Sequence, residues 1–257
     1  VNGQKFGNRE GHHAFHKSAM VATLCNDATI LLDNGNYIRS GEPTEAAFKV
    51  LAEKIGYPTD AQENSRKKVH EERFQDIHKY YNEQYPKQRT HEFTRDRKSM
   101  SVIVGQDTLV YKGAFEVVLG NCDKYFDDRD GEVKPMTEDV RRQLSEIQGR
   151  WSTGKNTYRC LGMAFKEAPD YQTWNIPEPS AAKNYEVGLI WTGAVGIIDP
   201  PRQTVKKSIE ECYNAGIRVI MCTGDNPATA EAIARNIGMI GEHESNEGKV
   251  FTGMQWE

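Results

Sequence analysis

The chain has 257 residues, 37% of them apolar and 27% charged, which is enough for one large domain or two modest ones, each with its own core. A net charge of −4 and a mean hydropathy of −0.72 describe a polar globular protein and argue against a whole-chain nucleic-acid binder. Five widely spaced cysteines without a Cys-x-x-Cys pair argue against a disulfide framework or zinc site, and no apolar run reaches the ~18 residues of a membrane span.

Residues 1–16, with Gly11-His12-His13 and His16, show no periodicity and are left uninterpreted, a loose terminus being favoured over a metal site. An apolar run from Ala19 to Leu24 precedes Asn26-Asp27 and a second short run, Thr29 to Leu32. Pro43 opens a predicted helix with Phe48, Leu51, Ala52 and Ile55 on one face and Gly56 as its stop. From Ser65 to Tyr85 the pattern is helical but weakly apolar. The period then changes to two. Strands are predicted near 90–95, 100–104 and 107–112, with a turn at Gly105-Gln106-Asp107. A short helix after Gly113 and a strand near 122–126 follow. Thr137 caps a helix bearing Val140, Leu144, Ile147 and Trp151. Strands are predicted near 158–166 and 187–197, separated by a surface loop at 168–184. The double proline of Asp199-Pro200-Pro201-Arg202 marks a boundary. Beyond it lie a helix over 203–215, a buried strand at Val219-Ile220-Met221-Cys222, and a helix from Pro227 to Gly238. That order is a piece of a parallel α/β sheet.

Several residue groups carry chemistry. Arg89, Arg95, Arg97 and Lys98 crowd together and suit an anionic ligand, although a charge run is more often a solvated face. In Phe93-Thr94-Arg95-Asp96-Arg97-Lys98 an aromatic plate for a base stands beside phosphate cations. Strand alternation would aim Phe93 and Arg95 the same way. On the pattern alone, a core phenylalanine beside surface salt bridges is the slightly better reading. Lys112-Gly113-Ala114 is a strand end whose glycine admits a ligand or another backbone, or is a plain turn. No Walker A sequence, Gly-x-Gly-x-x-Gly, His-Glu-x-x-His or Gly-x-Ser-x-Gly occurs.

The run from His91 to Val102 closely resembles the adenine-site strand of sarco/endoplasmic-reticulum-type calcium ATPases, a branch of the P-type ATPases. Lys112-Gly113-Ala114-Phe115-Glu116 resembles the P-type lysine motif, with Phe115 where the family has proline. Asp199-Pro200-Pro201-Arg202, Thr223-Gly224-Asp225-Asn226, the run from Gly41 to Ala47 and Tyr158-Arg159-Cys160-Leu161 resemble further signatures in family order. The resemblance covers about residues 18–257.

It implies an α+β nucleotide-binding domain, an antiparallel sheet flanked by helices, at 17–198. A fragment of a Rossmann-like (haloacid-dehalogenase-type) phosphorylation domain would follow at 199–257. It implies that Phe93 stacks on the adenine of ATP and that Glu45, beside Thr44, reads its amino group. Lys112 and Gly113 would close the far end of the pocket, Lys98 and Leu161 would line it, and Arg95 and Arg159 would approach ribose and phosphate. Asp199, Pro201 and Arg202 would form the hinge, and Thr223, Gly224 and Asp225 would face the phosphoryl-transfer site. Asp-Lys-Thr-Gly-Thr and Gly-Asp-Gly-x-Asn-Asp, which supply the nucleophile and help hold Mg²⁺, do not occur in these 257 residues. The expectation is ATP binding without turnover. No metal site is expected in this chain, Mg²⁺ belonging to the full-length enzyme. The expected partners are the remaining phosphorylation, actuator and transmembrane domains of one pump on the cytosolic face of an endoplasmic-reticulum-type membrane. The fragment itself is expected to be monomeric, with no membrane contact. The alternatives are a Golgi-type calcium/manganese or fungal-type sodium pump, a stand-alone nucleotide sensor, and an intact soluble phosphatase or kinase, which would need a catalytic aspartate motif not found here.

Overall fold

The computed structural model describes residues 13–56, 76–153, 158–198, 201–202, 204–223, 227–241 and 243–256. It divides into two compact units, residues 1–142 with 161–195, and residues 143–160 with 196–257. Three of the expected positions, Asp199, Gly224 and Asp225, lie outside the described residues, as does most of the predicted helical stretch before residue 76.

The first unit begins with α1 (His13–Leu24), β1 (Thr29–Asp33), β2 (Asn36–Ser40) and α2 (Pro43–Ile55). Next come α3 (Asp76–Gln84), β3 (Lys87–Thr94), β4 (Ser99–Val104) and β5 (Thr108–Ala114). They are followed by α4 (Phe115–Gly120), β6 (Cys122–Phe126) and β7 (Val133–Pro135). Three further elements, α5 (Glu138–Thr153), β8 (Arg159–Glu167) and β9 (Leu189–Ile197), run into the second unit at one end. β1 and β2 form a hairpin through Asn34-Gly35, both at positive φ, as a tight primed turn requires. The other strands form one sheet in the order β3-β4-β5-β8-β9-β6-β7.

The fold is α+β. The sheet is mixed rather than purely antiparallel, because β6 runs parallel to β9 with Cys122 opposite Leu189. That pairing joins segments far apart in sequence, and no local pattern announces it. Helix α1 includes residues 13–16, which fall in the segment that lacks periodicity. The Ala14 amide donates to Asp128 Oδ1, and Tyr81 donates its hydroxyl to the His16 carbonyl. Long-range bonds therefore hold a turn that the sequence pattern does not show. Helix α2 ends as expected at Gly56, whose φ of +79° suits glycine. The Val140 amide donates to Thr137 Oγ1 at 3.3 Å, which confirms the predicted cap of α5.

The second unit contains α6 (Val205–Asn214), α7 (Pro227–Asn236) and α8 (Gly253–Trp256). Residues 219–222 do not form the predicted buried strand, and Ile220 is 67% exposed. A strand holds its conformation through a neighbour's ladder, and none among the described residues pairs with it.

The 168–184 segment is more than surface loop. It contains short 3-10 turns at Tyr171–Thr173 and Pro179–Asn184. Trp174 stacks on Tyr185 with ring centroids 4.7 Å apart. The segment delivers Glu186, which is 0% exposed, to Arg97 at 2.6 Å. Ser101 donates its hydroxyl to the same carboxylate at 2.6 Å and shares 2.9 Å with His91 Nδ1. Burial pushes the Glu186 carboxyl up, opposed by the Ser101 and Arg97 contacts, which favour the anion. Burial beside Arg89 and Arg97 pushes the His91 imidazole down from 6.5 to about 4.

The unfolded chain therefore binds a proton at His91 between about pH 4 and 6.5 that the native state refuses. Stability from this residue is complete above pH 6.5 and is lost as pH falls towards 4. Acidification to pH 5 should cost about 2 kcal/mol through His91. Urea unfolding of parent and His91→Gln at pH 7 and pH 5 tests this. The variant should show the smaller loss, and equal losses would clear His91.

Candidate functional site

The site is built where α1 ends, α2 begins and β5 passes beneath them. Pro43 sits at the first helical position of α2, where its missing N–H costs nothing. Thr44 and Glu45 follow in the first turn, both half-buried. The Asn26 side-chain amide donates to the carbonyls of Ala22 and Glu45, which ties the end of α1 to the start of α2. Glu45 Oε2 accepts the Asp27 amide at 3.0 Å, and Oε1 lies 2.5 Å from Lys112 Nζ.

Lys112 lies on β5, opposite Met100 on one side and Met163 on the other. Its side chain is 6% exposed, and Nζ stands 4.8 Å over the Phe48 ring. The contact with Glu45 is an ion pair without hydrogen-bond alignment, so the buried ammonium keeps donors to offer. Two more lysines converge here. Lys49 Nζ donates to the Thr23 carbonyl, and Lys87 Nζ to the Asn26 carbonyl and Asp27 Oδ1. Cations at the carbonyl end of α1 complement its dipole. Burial pushes the Lys49 amine down to about 8, with Lys87 and Lys112 adding to the effect.

Phe93 is 58% exposed, so it is not a core residue. Phe93 lies between His91 and Thr94, where the β3–β4 ladder shifts register. β4 lies between β3, which carries Phe93, and β5, which carries Lys112, so two strand spacings of roughly 10 Å in all separate the two strands. Arg95 does not share a strand with Phe93. β3 ends at Thr94, and residues 95–98 form a turn in which Arg95 and Lys98 are exposed. The alternation expected for Phe93 and Arg95 therefore does not apply. Arg97 departs from the expected cationic cluster too, since its guanidinium is buried against Glu186.

Lys98 adopts a φ of +51°, and its carbonyl accepts the Ala114 amide at 2.9 Å. That carbonyl explains Gly113. A Cβ there would lie 2.5 Å from Lys98 O, so the close approach is by backbone. Leu161 pairs with Ala114 and is half-buried. Glu45 and Lys112 thus share one site, with Thr44 beside Glu45 on α2, Gly113 beside Lys112 on β5, and Phe93 on β3, two strands away. Arg159 opens β8 and belongs to the second unit, as do the exposed Arg202 and Thr223 and the half-buried Pro201.

Comparison with known proteins gives the family. The family model for the cytoplasmic domain N of P-type ATPases matches residues 14–204. The chain belongs to the P-type ATPase family. It is similar to calcium-transporting ATPase 3, endoplasmic reticulum-type, of Arabidopsis thaliana, with 37% identity over 250 residues. That match covers 94% of this chain and 24% of the relative. Calcium-transporting ATPase 2, endoplasmic reticulum-type, of the same plant is 36% identical over 260 residues, covering 93% and 24%. The chain thus spans about a quarter of the relatives' length.

Sequence reading missed several groups around this domain N site. Phe48 is legible as an apolar face residue of α2, but its place under an ammonium is not. Asn26, Asp27, Lys49 and Lys87 carry no motif, and only their convergence on α1 reveals them. Asn26-Asp27 between two apolar runs was the available signal.

Gly113→Ala should destabilise the first unit by about 1–3 kcal/mol, the range for forced overpacking. The displaced atom is a hydrogen-bonded backbone carbonyl, which cannot swing aside. Denaturant unfolding of the variant checks this, and parent-like stability would remove the close-approach argument.

Proposed function

We propose that this chain is the ATP-binding part of an endoplasmic-reticulum-type calcium pump and presents ATP to a phosphorylation-site aspartate outside these residues. The observation that carries the reading is the exposed Phe93 ring on β3, two strands from the ion pair of the buried Lys112 ammonium with Glu45. An exposed phenylalanine costs hydration in the empty protein and gains a stacking partner when a base covers it. Lys112 and Glu45 supply a donor and an acceptor to the far edge of that base. Arg95 and Lys98 on the neighbouring turn supply phosphate cations. Thr44, Gly113 and Leu161 complete the proposed binding set of the first unit.

Calcium as the transported ion comes from the names of the two plant relatives. The proposed domain division is a nucleotide-binding domain over 17–198 and a partial phosphorylation domain over 199–257. There Asp199, Pro201, Arg202, Thr223, Gly224 and Asp225 would serve the hinge and the phosphoryl-transfer side. Mg²⁺ is assigned to the full-length enzyme and to no residue of this chain. The proposed partners are the pump's remaining phosphorylation, actuator and transmembrane domains, at the cytosolic face of the membrane. No helix among the described residues is long and apolar enough to cross a bilayer.

Isothermal titration with ATP, ADP, adenosine and GTP tests the reading. ATP should bind with micromolar to millimolar affinity, weakly dependent on Mg²⁺, with no phosphoenzyme formed. Phe93→Ala should weaken ATP and adenosine alike by about 5- to 150-fold, the worth of one base stack. The melting temperature of the empty protein should move little, because the ring is exposed. Arg95→Ala should weaken ATP more than adenosine. A Phe93→Ala protein that binds ATP normally would overturn the assignment.

A further inference from the structure

The ladder between β3 and β4 shifts register between His91 and Thr94, so the segment carrying Phe93 is not held by regular strand bonds. Arg97 supplies the missing hold. Its Nη2 donates to the His91 carbonyl at 2.9 Å and also to the Glu92 carbonyl, the residue immediately before Phe93. Its own amide donates to Thr94 Oγ1 at 3.3 Å, on the other side of Phe93. Nη1 anchors this fork to Glu186 Oε1 at 2.6 Å, across 89 residues of sequence. Glu186 is held in turn by the Ser101 hydroxyl, and its amide donates to the Ala182 carbonyl at 3.1 Å. Ser101 alternates with Met100 along β4, so this network lies on the sheet face opposite Lys112.

We propose that Arg97, anchored by Glu186, is a positioning residue that fixes the register-shifted segment and turn carrying Phe93, Arg95 and Lys98. The inference rests on the nucleotide-site reading above, since it gives that site its rigidity. The guanidinium fork is what the role requires. It binds one carboxylate and two carbonyls at once, whereas a lysine at the same place is a point charge without the fork. A loosened binding surface loses affinity without losing its contacts, because ordering it becomes part of the cost of binding.

The experiment compares the full 257-residue parent with Arg97→Lys and Glu186→Gln. It reads two quantities, ¹⁵N relaxation of the amides of residues 93–98 without ligand, and the Kd values for ATP and adenosine. In Arg97→Lys the amides of residues 93–98 should become mobile on the nanosecond timescale while the rest of the first unit keeps its order. ATP and adenosine should both weaken, by about tenfold. Glu186→Gln retains an acceptor for the fork and should give the same changes at smaller size. If Arg97→Lys does not fold, Glu186→Gln carries the test. A folded variant with a rigid turn and parent Kd values overturns the proposal, as does one that melts lower but binds like the parent when folded. If the parent binds no nucleotide, the site reading fails, while turn mobility still decides whether Arg97 is the clamp.

Discussion

The structure depends on a buried charge pair, Arg97 with Glu186, whose side chains are 2% and 1% exposed. Removing two such groups from water costs several kcal/mol per ion, and attraction repays it only when the remaining donors and acceptors are engaged. Here the Ser101 hydroxyl and the carbonyls of His91 and Glu92 take up that role. The arrangement therefore demands accuracy from three separate pieces of chain: the β3–β4 turn, the middle of β4, and the segment that follows the 3-10 turn at Pro179–Asn184. Arg97 Nε and Glu186 Oε2 remain without hydrogen-bond partners, so the pair favours one geometry more than it adds stability.

β4 is the wall shared by this network and the candidate site. All six of its residues are buried, and they alternate in function. Ser99 and Ser101 point to the face that holds Glu186, while Met100 points to the face that holds Lys112. Cys25 on the helix side reaches the same strand through a contact with the Met100 carbonyl, and burial pushes its thiol up to about 12. It behaves as a small core residue. The two faces of the sheet thus carry ion pairs with different consequences. Arg97–Glu186 is closed within the protein. Lys112–Glu45 has an ammonium with donors to spare, over an aromatic ring, near an exposed phenylalanine.

Membership in the P-type ATPase family accords with this asymmetry. The ligand capture proposed above would need an open surface over a rigid support. The described site has an exposed ring and two exposed turn cations above a fully buried strand.

Local chemistry determined a good deal in advance. Pro43 and Gly56 bound α2, Gly105 turns β4 into β5, and Thr137 caps α5, because each is a preference of a residue for its own backbone. The ordered motif set, from Gly41 to Asn226, was enough to indicate the family. Only the tertiary structure decided what became of Arg95, Arg97 and Lys98. They look equivalent in sequence, yet Arg97 alone is buried, because its partner lies 89 residues away, just past a stretch that reads as surface loop. The parallel pairing of β6 with β9, the helical conformation of residues 13–16 and the absence of a strand at 219–222 have the same origin. Each depends on whether a distant segment accepts a hydrogen bond or an ion pair, and neither propensity nor periodicity carries that information.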